Sequence, residues 1–404
     1  MIAKSFGARR AGAISLATLV TLPLLLLLAG LVVYVCLLRD AHTESQNGAD
    51  AAALAAALAL ATDDLLVEND PARVEKWLAR SHDAALALGH ANFAGGERLD
   101  LARDGAVAFG HLDGPLSATF APFDPAAKPT GLPTVNAARV TVRRSPVRAP
   151  LGGATPDKDL RARATAMLDR SVVGFRPKDA APIPLMPVAI FTDHDGKLPN
   201  GWDANLAVAR AAGDKADAAA FDAAKNVFAP GPDGIPEVTA IIGPRDSDDG
   251  ETAPAAVFLR VGTDSFAETV RQVGTGVPGD ALKNKNAADF ILGVDNTLHI
   301  PGTPECPAAG TRGRERLDDA FVALRDSGAA RVWPLYEGVT GGAVRVTGWT
   351  AARVVSVSAA GGGGVKLVLQ PAVVCHPAVV TERRDPPPKF WANNRTVCRV
   401  RLAD

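Results

Sequence analysis

The sequence contains few aromatic residues and cysteines, and it lacks the short motifs of several enzyme classes. Aromatic residues make up 5% of the 404 positions, and there are only four cysteines. The seven histidines form no HxxxH or HExxH pair and the cysteines form no CxxC pair, which argues against a zinc site. No GxSxG, Walker or dinucleotide-binding fingerprint occurs, so we predict no catalytic activity and no cofactor.

An excess of positive charge is also missing. The chain has 43 basic and 44 acidic residues, and three of the basic ones (Lys4, Arg9 and Arg10) precede the uncharged stretch that begins at Ala11, with no acid before Asp40. The remainder is therefore mildly acidic, and we expect no nucleic-acid partner.

Charged side chains are absent from Ala11 to Leu38, a stretch of 28 residues. About 20 apolar residues suffice to cross a bilayer as a helix, and a membrane helix tolerates one proline such as Pro23. We therefore predict a transmembrane helix over residues 11–38. The basic residues before it predict a cytoplasmic segment 1–10 and an extracytoplasmic remainder, anchored in the inner membrane.

A cleaved signal peptide or a lipoprotein anchor would also place an apolar stretch near the N-terminus. A cleaved signal peptide has an apolar core of about 7–15 residues, shorter than this one, and Ala-x-Ala patterns begin only at Ala49. A lipoprotein anchor needs a small residue before Cys36, where Val35 stands. A permanent anchor is favoured over both.

The segment after the membrane is predicted to continue as a stem over residues 39–90. Its alanines and leucines are the strongest helix formers, and Asp70, Pro71 and Gly89 mark the ends of a second helix. Small side chains let helices approach closely, so we expect Gly48, Ala52 and Ala56 to contact other membrane helices, including a second copy. A plain alanine-rich spacer would give the same composition.

The rest of the chain is predicted to be rich in β-structure. Alternating patterns indicate an α+β domain over 91–180, in which 160–174 favours a strand over a helix. Four prolines between 176 and 187 suggest a junction, followed by a β-rich domain over 181–404. Within it, 204–225 is predicted to be a helix or a surface insertion. The fold class is α+β.

Two groups of side chains could form small sites. Cys375 and Cys398 lie in strand-like runs and are predicted to form a disulfide that leaves Cys306 over, and three free thiols are the alternative. Asp193, Asp195 and Asp203 could bind calcium, but their spacing does not match an EF-hand, and Asp-Gly clusters more often form turns.

The N-terminal segment combines three features: an arginine pair and glycine (Arg9, Arg10 and Gly12), a helix interrupted by Pro23, and a tail with Gln46, Asn47, Ala49, Asp50 and Ala51 to Ala57. In this combination it is similar to the N-terminal segment of TadG-like proteins of Flp (tight adherence) pilus-assembly systems. The run 110–144 also resembles the next segment of that family. The resemblance implies a membrane-anchored pilus-assembly component with pilin-like or other assembly partners and no enzymatic activity.

One departure from the pilin pattern is informative. Pilins carry a glutamate five residues after the processing glycine, where this chain has Ala17. We therefore expect the helix to remain uncut. The alternative function is a membrane-tethered module, within 181–404, that binds carbohydrate or other surface partners.

Overall fold

The computed structural model describes residues 8–67, 70–94, 96–101, 105–117, 119–123, 135–144, 160–177, 179–194, 198–243, 255–282, 290–303, 311–360, 364–392 and 394–403. The described helices are α1 (Ala8–Leu60), α2 (Pro71–His90), α3 (Trp202–Ala212), α4 (Phe266–Thr275) and α5 (Thr311–Ser327). The predicted membrane helix thus continues without interruption into the first part of the predicted stem, residues 39–60, as α1, and α2 is the predicted second helix.

Helix α2 begins as its sequence predicts. The Asp70 side chain accepts a hydrogen bond from the Arg73 backbone N–H (3.1 Å), and Pro71 occupies the first turn, where no amide donor is needed. Trp77, Ser81 and Ala85 recur at a helical spacing and are fully buried. The face that they form holds α2 against the folded part.

One sheet, which we call the stem sheet, packs against α1. Its strands are β3 (Gly105–His111), β4 (Ala121–Pro122), β5 (Ala137–Arg144), β6 (Leu160–Asp169), β18 (Val374–Cys375) and β20 (Val397–Ala403). Their order is β18-β20-β6-β5-β3-β4. Strand β20 pairs antiparallel with β6. A strand from the predicted domain 181–404 therefore belongs to the same sheet as strands from the predicted domain 91–180.

A second sheet, which we call the ring sheet, closes on itself. It contains β8 (Val188–Phe191), β11 (Val238–Ile242), β12 (Ala255–Leu259), β14 (Leu298–Thr303), β15 (Arg331–Thr340), β16 (Ala343–Ala359) and β17 (Val365–Pro371). In the strand order β11-β17-β16-β14-β12-β8-β15, each end strand pairs back onto an interior strand, β11 onto β12 and β15 onto β16. The described strands therefore leave few open edges.

Three smaller sheets complete the described strands. They are β1 (Phe93–Ala94) with β2 (Glu97–Arg98), β9 (Ala219–Asp222) with β10 (Val227–Pro230), and β13 (Phe290–Ile291) and β19 (Val379–Thr381) on either side of β7 (Val172–Phe175). Residues 160–174 are strands, as predicted. The predicted helix over 204–225 ends at Ala212 because Gly213, at a φ of +57°, cannot continue it, and the β9–β10 hairpin follows.

The strands of the ring sheet divide their side chains between two apolar clusters. Along β8, Ala189 enters one cluster, while Val188 and Ile190 enter the other. Leu317, Phe321 and Leu324 of α5 pack into the second cluster. The chain is α+β, with a long N-terminal apolar helix followed by a β-rich region, which confirms the predicted class.

Candidate functional site: the anchor helix and its attachment

Helix α1 has two parts with opposite surroundings. In its first described part the large apolar side chains are exposed, among them Leu19, Leu26 and Val32, which is 62% exposed. An uncharged helix with apolar side chains on its outside suits a lipid environment. The helix is long and apolar enough to cross a membrane, as a single-pass anchor requires.

The second part of α1 is buried on one face. From residue 41 onward the buried positions follow the helical repeat, and they are Ala41, Ser45, Gly48, Ala49, Ala52, Ala53, Ala56, Ala57 and Leu60. The alanines meet equally small residues of the stem sheet, including Ala138 of β5 and Ala164 of β6. Small side chains on both surfaces bring the helix axis close to the sheet.

Polar contacts also hold the second part of α1 against the stem sheet. Gln46 Nε2 donates to the Asp50 carboxylate (2.7 Å) and to the Arg163 carbonyl of β6 (3.1 Å). A Cβ added at Gly48 would fall on Leu99 Cδ1, so a larger residue there would require the buried Leu99 side chain to move. These residues belong to the tail on which the family resemblance was based, and here that tail attaches the helix to its own domain.

The structure places Gly48, Ala52 and Ala56 against other parts of the same chain. The sequence predicts that these residues contact partner membrane helices, and in the structure the chain's own sheet and Leu99 pack against them. Small residues permit close packing without specifying the partner, so the composition is compatible with both kinds of contact.

The end of α1 is held by groups far away in the chain. Trp77 Nε1 donates to the Leu60 carbonyl (3.1 Å), a helix-end acceptor that also receives the Thr62 backbone N–H (2.8 Å). Asp63 pairs with Arg353 of β16 and accepts from the Val373 backbone N–H (2.7 Å). Both charged side chains are largely buried, 19% exposed for Asp63 and 12% for Arg353, so the pair is shielded from water.

Asp64, the residue after Asp63, contacts α2. Asp64 accepts from Arg73 Nε (2.6 Å) and pairs with Arg80. Partial burial alone would raise the pKa of Asp64, but the hydrogen bond and charge of Arg73, helped by Arg80, lower it below its ordinary value. Asp63 and Asp64 thus connect the anchor helix to the ring sheet and to α2 respectively.

The predicted cysteine pair is brought together. Cys375 of β18 and Cys398 of β20 are direct partners in a parallel pairing, and both are free thiols here. A hydrogen bond from Cys398 lowers the pKa of Cys375 to about 7, whereas that bond and burial raise the pKa of Cys398. The disulfide stays a prediction, and Cys306 lies outside the described residues.

The predicted calcium residues are engaged in other contacts. Asp193 accepts from the Leu198 backbone N–H (2.7 Å), and Asp203 pairs with His194 Nδ1 (2.9 Å). Asp195 lies outside the described residues. Among the residues that are described, no three His, Cys, Asp or Glu side chains are grouped to hold a metal ion.

His194 also connects Asp203 to a hydroxyl, an arrangement familiar from hydrolases. Its Nε2 lies 3.3 Å from Thr347 Oγ1, which gives the order acid, imidazole, hydroxyl. The His194 side chain is only 3% exposed, and the cavity beside Asp203 measures about 20 Å³ within the described residues. That volume holds about one water molecule, and among the described residues these contacts belong to the packed interior.

Sequence reasoning missed the attachment residues Asp63 and Arg353. Their pairing spans 290 positions, and neither lies in a motif that indicates such a contact. The Thr62-Asp63-Asp64 segment, directly after an alanine helix, was the only local signal available.

Comparison with known proteins bears on the anchor helix. No curated protein and no solved structure shows significant similarity to the chain. A protein-family model does match, and its residues cover the exposed apolar part of α1 together with the docked part. Residues 12–59 match the model of the putative Flp pilus-assembly TadE/G-like family, which confirms the predicted resemblance of the N-terminal segment.

Proposed function

We propose that this chain is a non-catalytic, membrane-anchored component of Flp pilus assembly or attachment. Helix α1 would be its permanent anchor in the inner membrane, and the folded parts would lie on the extracytoplasmic side. The family match over residues 12–59 supports involvement in pilus assembly. Pilin-like proteins and other assembly proteins would then be its partners.

The observation that carries the proposal is the continuity of α1. One helix runs from the exposed apolar segment into the buried face against β5 and β6, without a break among its residues. At 1.5 Å per residue, its 53 residues span about 80 Å, more than twice a bilayer core of about 30 Å. A folded part held in this way moves with its membrane helix, which suits a component that bears load between membrane and pilus.

The test makes the link between the membrane part of α1 and its docked part flexible, while the sequences of both parts stay unchanged. A seven-residue Gly-Ser insertion between Arg39 and Asp40 breaks the helix, whereas seven alanines add about two turns and preserve it. In cells that lack the native gene, we expect the alanine variant to restore surface pili and the Gly-Ser variant to fail at equal protein levels.

Two results would contradict the proposal. If deleting the gene leaves the number of pili unchanged, the chain has no part in assembly. If both insertions restore pili equally, rigid coupling through α1 is not what the assembly uses.

A further inference from the structure

A cavity of about 420 Å³ lies between the stem sheet and the segment that precedes β20. Its walls include Asn136, Asp169, Arg170, Trp391, Asn394 and Arg395. Pockets that bind small molecules measure about 300–1,000 Å³, so the cavity has room for a ligand of one or two sugar rings. It needs residues from both sides of position 180, and the fragment 181–404 would lack half of it.

The walls of this cavity are held in place by their own hydrogen bonds. The Asn136 side-chain amide bonds to both the N–H and the carbonyl of Leu112 (2.8 Å each). Asn394 Nδ2 donates to the Arg170 carbonyl (2.9 Å), and Trp391 Nε1 donates to the Val172 carbonyl (2.8 Å). The cavity is therefore preformed, which reduces the ordering that a ligand would have to induce.

Arg170 is the exception among these wall residues. Its Nε is buried without a hydrogen-bond partner, and no carboxylate of the described residues pairs with its guanidinium. The neighbouring acid, Asp169, instead accepts from the Ser171 backbone N–H (3.0 Å) and lies 3.5 Å from Arg401. A buried cation without a counter-ion is costly, so an anion in the cavity would relieve it.

A second cation faces the same space. Burial lowers the pKa of Arg170, and the nearby positive charge of Arg395 adds to that effect while Cys398 partly offsets it. Two guanidinium groups that repel each other across a cavity favour a carboxylate, which arginine binds in a bidentate manner.

The remaining walls argue for a saccharide over a simple ion. The cavity is many times larger than an inorganic anion, and its carboxylates, Asp113 and Asp169, would repel a bare one. Hydroxyl groups both donate and accept, so they suit walls that contain carboxylates, amides and guanidinium groups together. The indole of Trp391 supplies an apolar surface of the kind on which sugar rings pack.

We propose that this cavity binds an acidic saccharide, with its carboxylate on Arg170 and Arg395 and its ring beside Trp391. The site gives a defined location to the carbohydrate-binding alternative and does not depend on the role in pilus assembly. A failure to bind sugars would not change the expected result of the pilus experiment. A failure of the pilus experiment would likewise not change the expected sugar binding.

The test uses the full chain in nanodiscs, titrated with digalacturonate and with N-acetylmuramate, and with the methyl ester of each. We expect at least one free acid to bind at least tenfold more tightly than its ester. Arg170→Met should weaken that binding at least tenfold without lowering the melting temperature, because it removes a cation that the unliganded protein leaves unpaired. Arg170→Lys should retain part of the affinity. Arg345→Gln, which removes an exposed arginine that pairs with Glu337, should retain all of it.

Four results would overturn the proposal. The first is that neither acid binds, and the second is that acid and ester bind equally. The third is that Arg170→Met leaves affinity unchanged. The fourth is that sulfate or the peptide acetyl-Ala-Ala binds as tightly as the sugars, which would assign the cavity to a simple anion or to a peptide carboxylate.

Discussion

Asp63 pairs with Arg353 across 290 positions of the chain, and this contact attaches the end of the anchor helix to the ring sheet. The same carboxylate accepts from the Val373 backbone N–H. Arg353 in turn donates through Nε to the Gly328 carbonyl (3.1 Å) and lies over the Phe221 ring (3.9 Å). The acid thus completes a group of partly buried contacts.

Removing Asp63 should therefore destabilise the protein strongly. Asp63→Ala leaves Arg353 buried without a counter-ion and the Val373 amide without an acceptor. We expect a loss of about 3 kcal/mol in unfolding free energy, measured by denaturant titration in detergent. Glu337→Gln, which breaks an exposed ion pair with Arg345, serves as control and should cost less than about 1 kcal/mol. Equal losses in the two variants would mean that Asp63 does not tie the helix to the sheet.

Enlarging the docked face of α1 should separate it from the stem sheet. Ala52→Leu inserts three carbon atoms into a fully buried position against other small residues, and overpacking of this kind costs about 1–3 kcal/mol. Ala55→Leu makes the same change at a half-buried position of that helix and should cost less. Limited proteolysis and thermal unfolding measure both. A similar effect at the two positions would argue against the docking described for α1.

Cys375 should react as a thiolate at neutral pH. Its pKa lies at about 7, below the ordinary thiol value, because Cys398 donates a hydrogen bond to it. The thiolate forms as pH rises through that value, so alkylation by iodoacetamide should accelerate between pH 6 and pH 8, with about half the maximal rate near pH 7. Cys398→Ala removes the donor and should move the midpoint upward. A midpoint that the substitution leaves unchanged would refute this cause.

Mild oxidation should join Cys375 to Cys398. The two residues lie opposite each other on adjacent strands, whose separation of about 4.8 Å falls within the Cα spacing of disulfides. Peptide mass mapping after diamide treatment should show the two segments linked, and Cys375→Ser should abolish the link. Detection of Cys306 in the link instead would reject the predicted pairing.

Reporter fusions test the predicted orientation. With the N-terminus inside, green fluorescent protein should fluoresce when it is fused before residue 1, whereas alkaline phosphatase should be active only when it is fused after residue 404. The opposite pattern would place the folded parts in the cytoplasm.

The sequence was sufficient to predict those features that depend on local chemistry. The uncharged run of α1, the Asp70 cap of α2 and the alternation over 160–174 each gave the element that the structure contains. The partner of the alanine face could not be predicted, because small residues pack against helices and sheets alike. Nor could the pairing of β20 with β6, since no local pattern relates strands separated by the whole ring sheet.

The orphaned Arg170 Nε and the cavity beside it were equally hidden. The cavity forms only where residues near 136, 170 and 394 meet, and the sequence separates them widely. An arginine in a strand-like run normally indicates an exposed position, so the residue itself gave no sign of burial.

The position of β20 beside β6 also constrains how the protein is made. Ribosomes release β3, β5 and β6 long before Val397–Ala403, so the stem sheet waits with β6 as an open edge while the ring sheet is synthesised. Open edges recruit foreign strands, and the anchor helix confines waiting chains to the plane of one membrane, where they meet often. The shorter the interval between the synthesis of β6 and its pairing with β20, the less time that edge has to pair with a foreign strand.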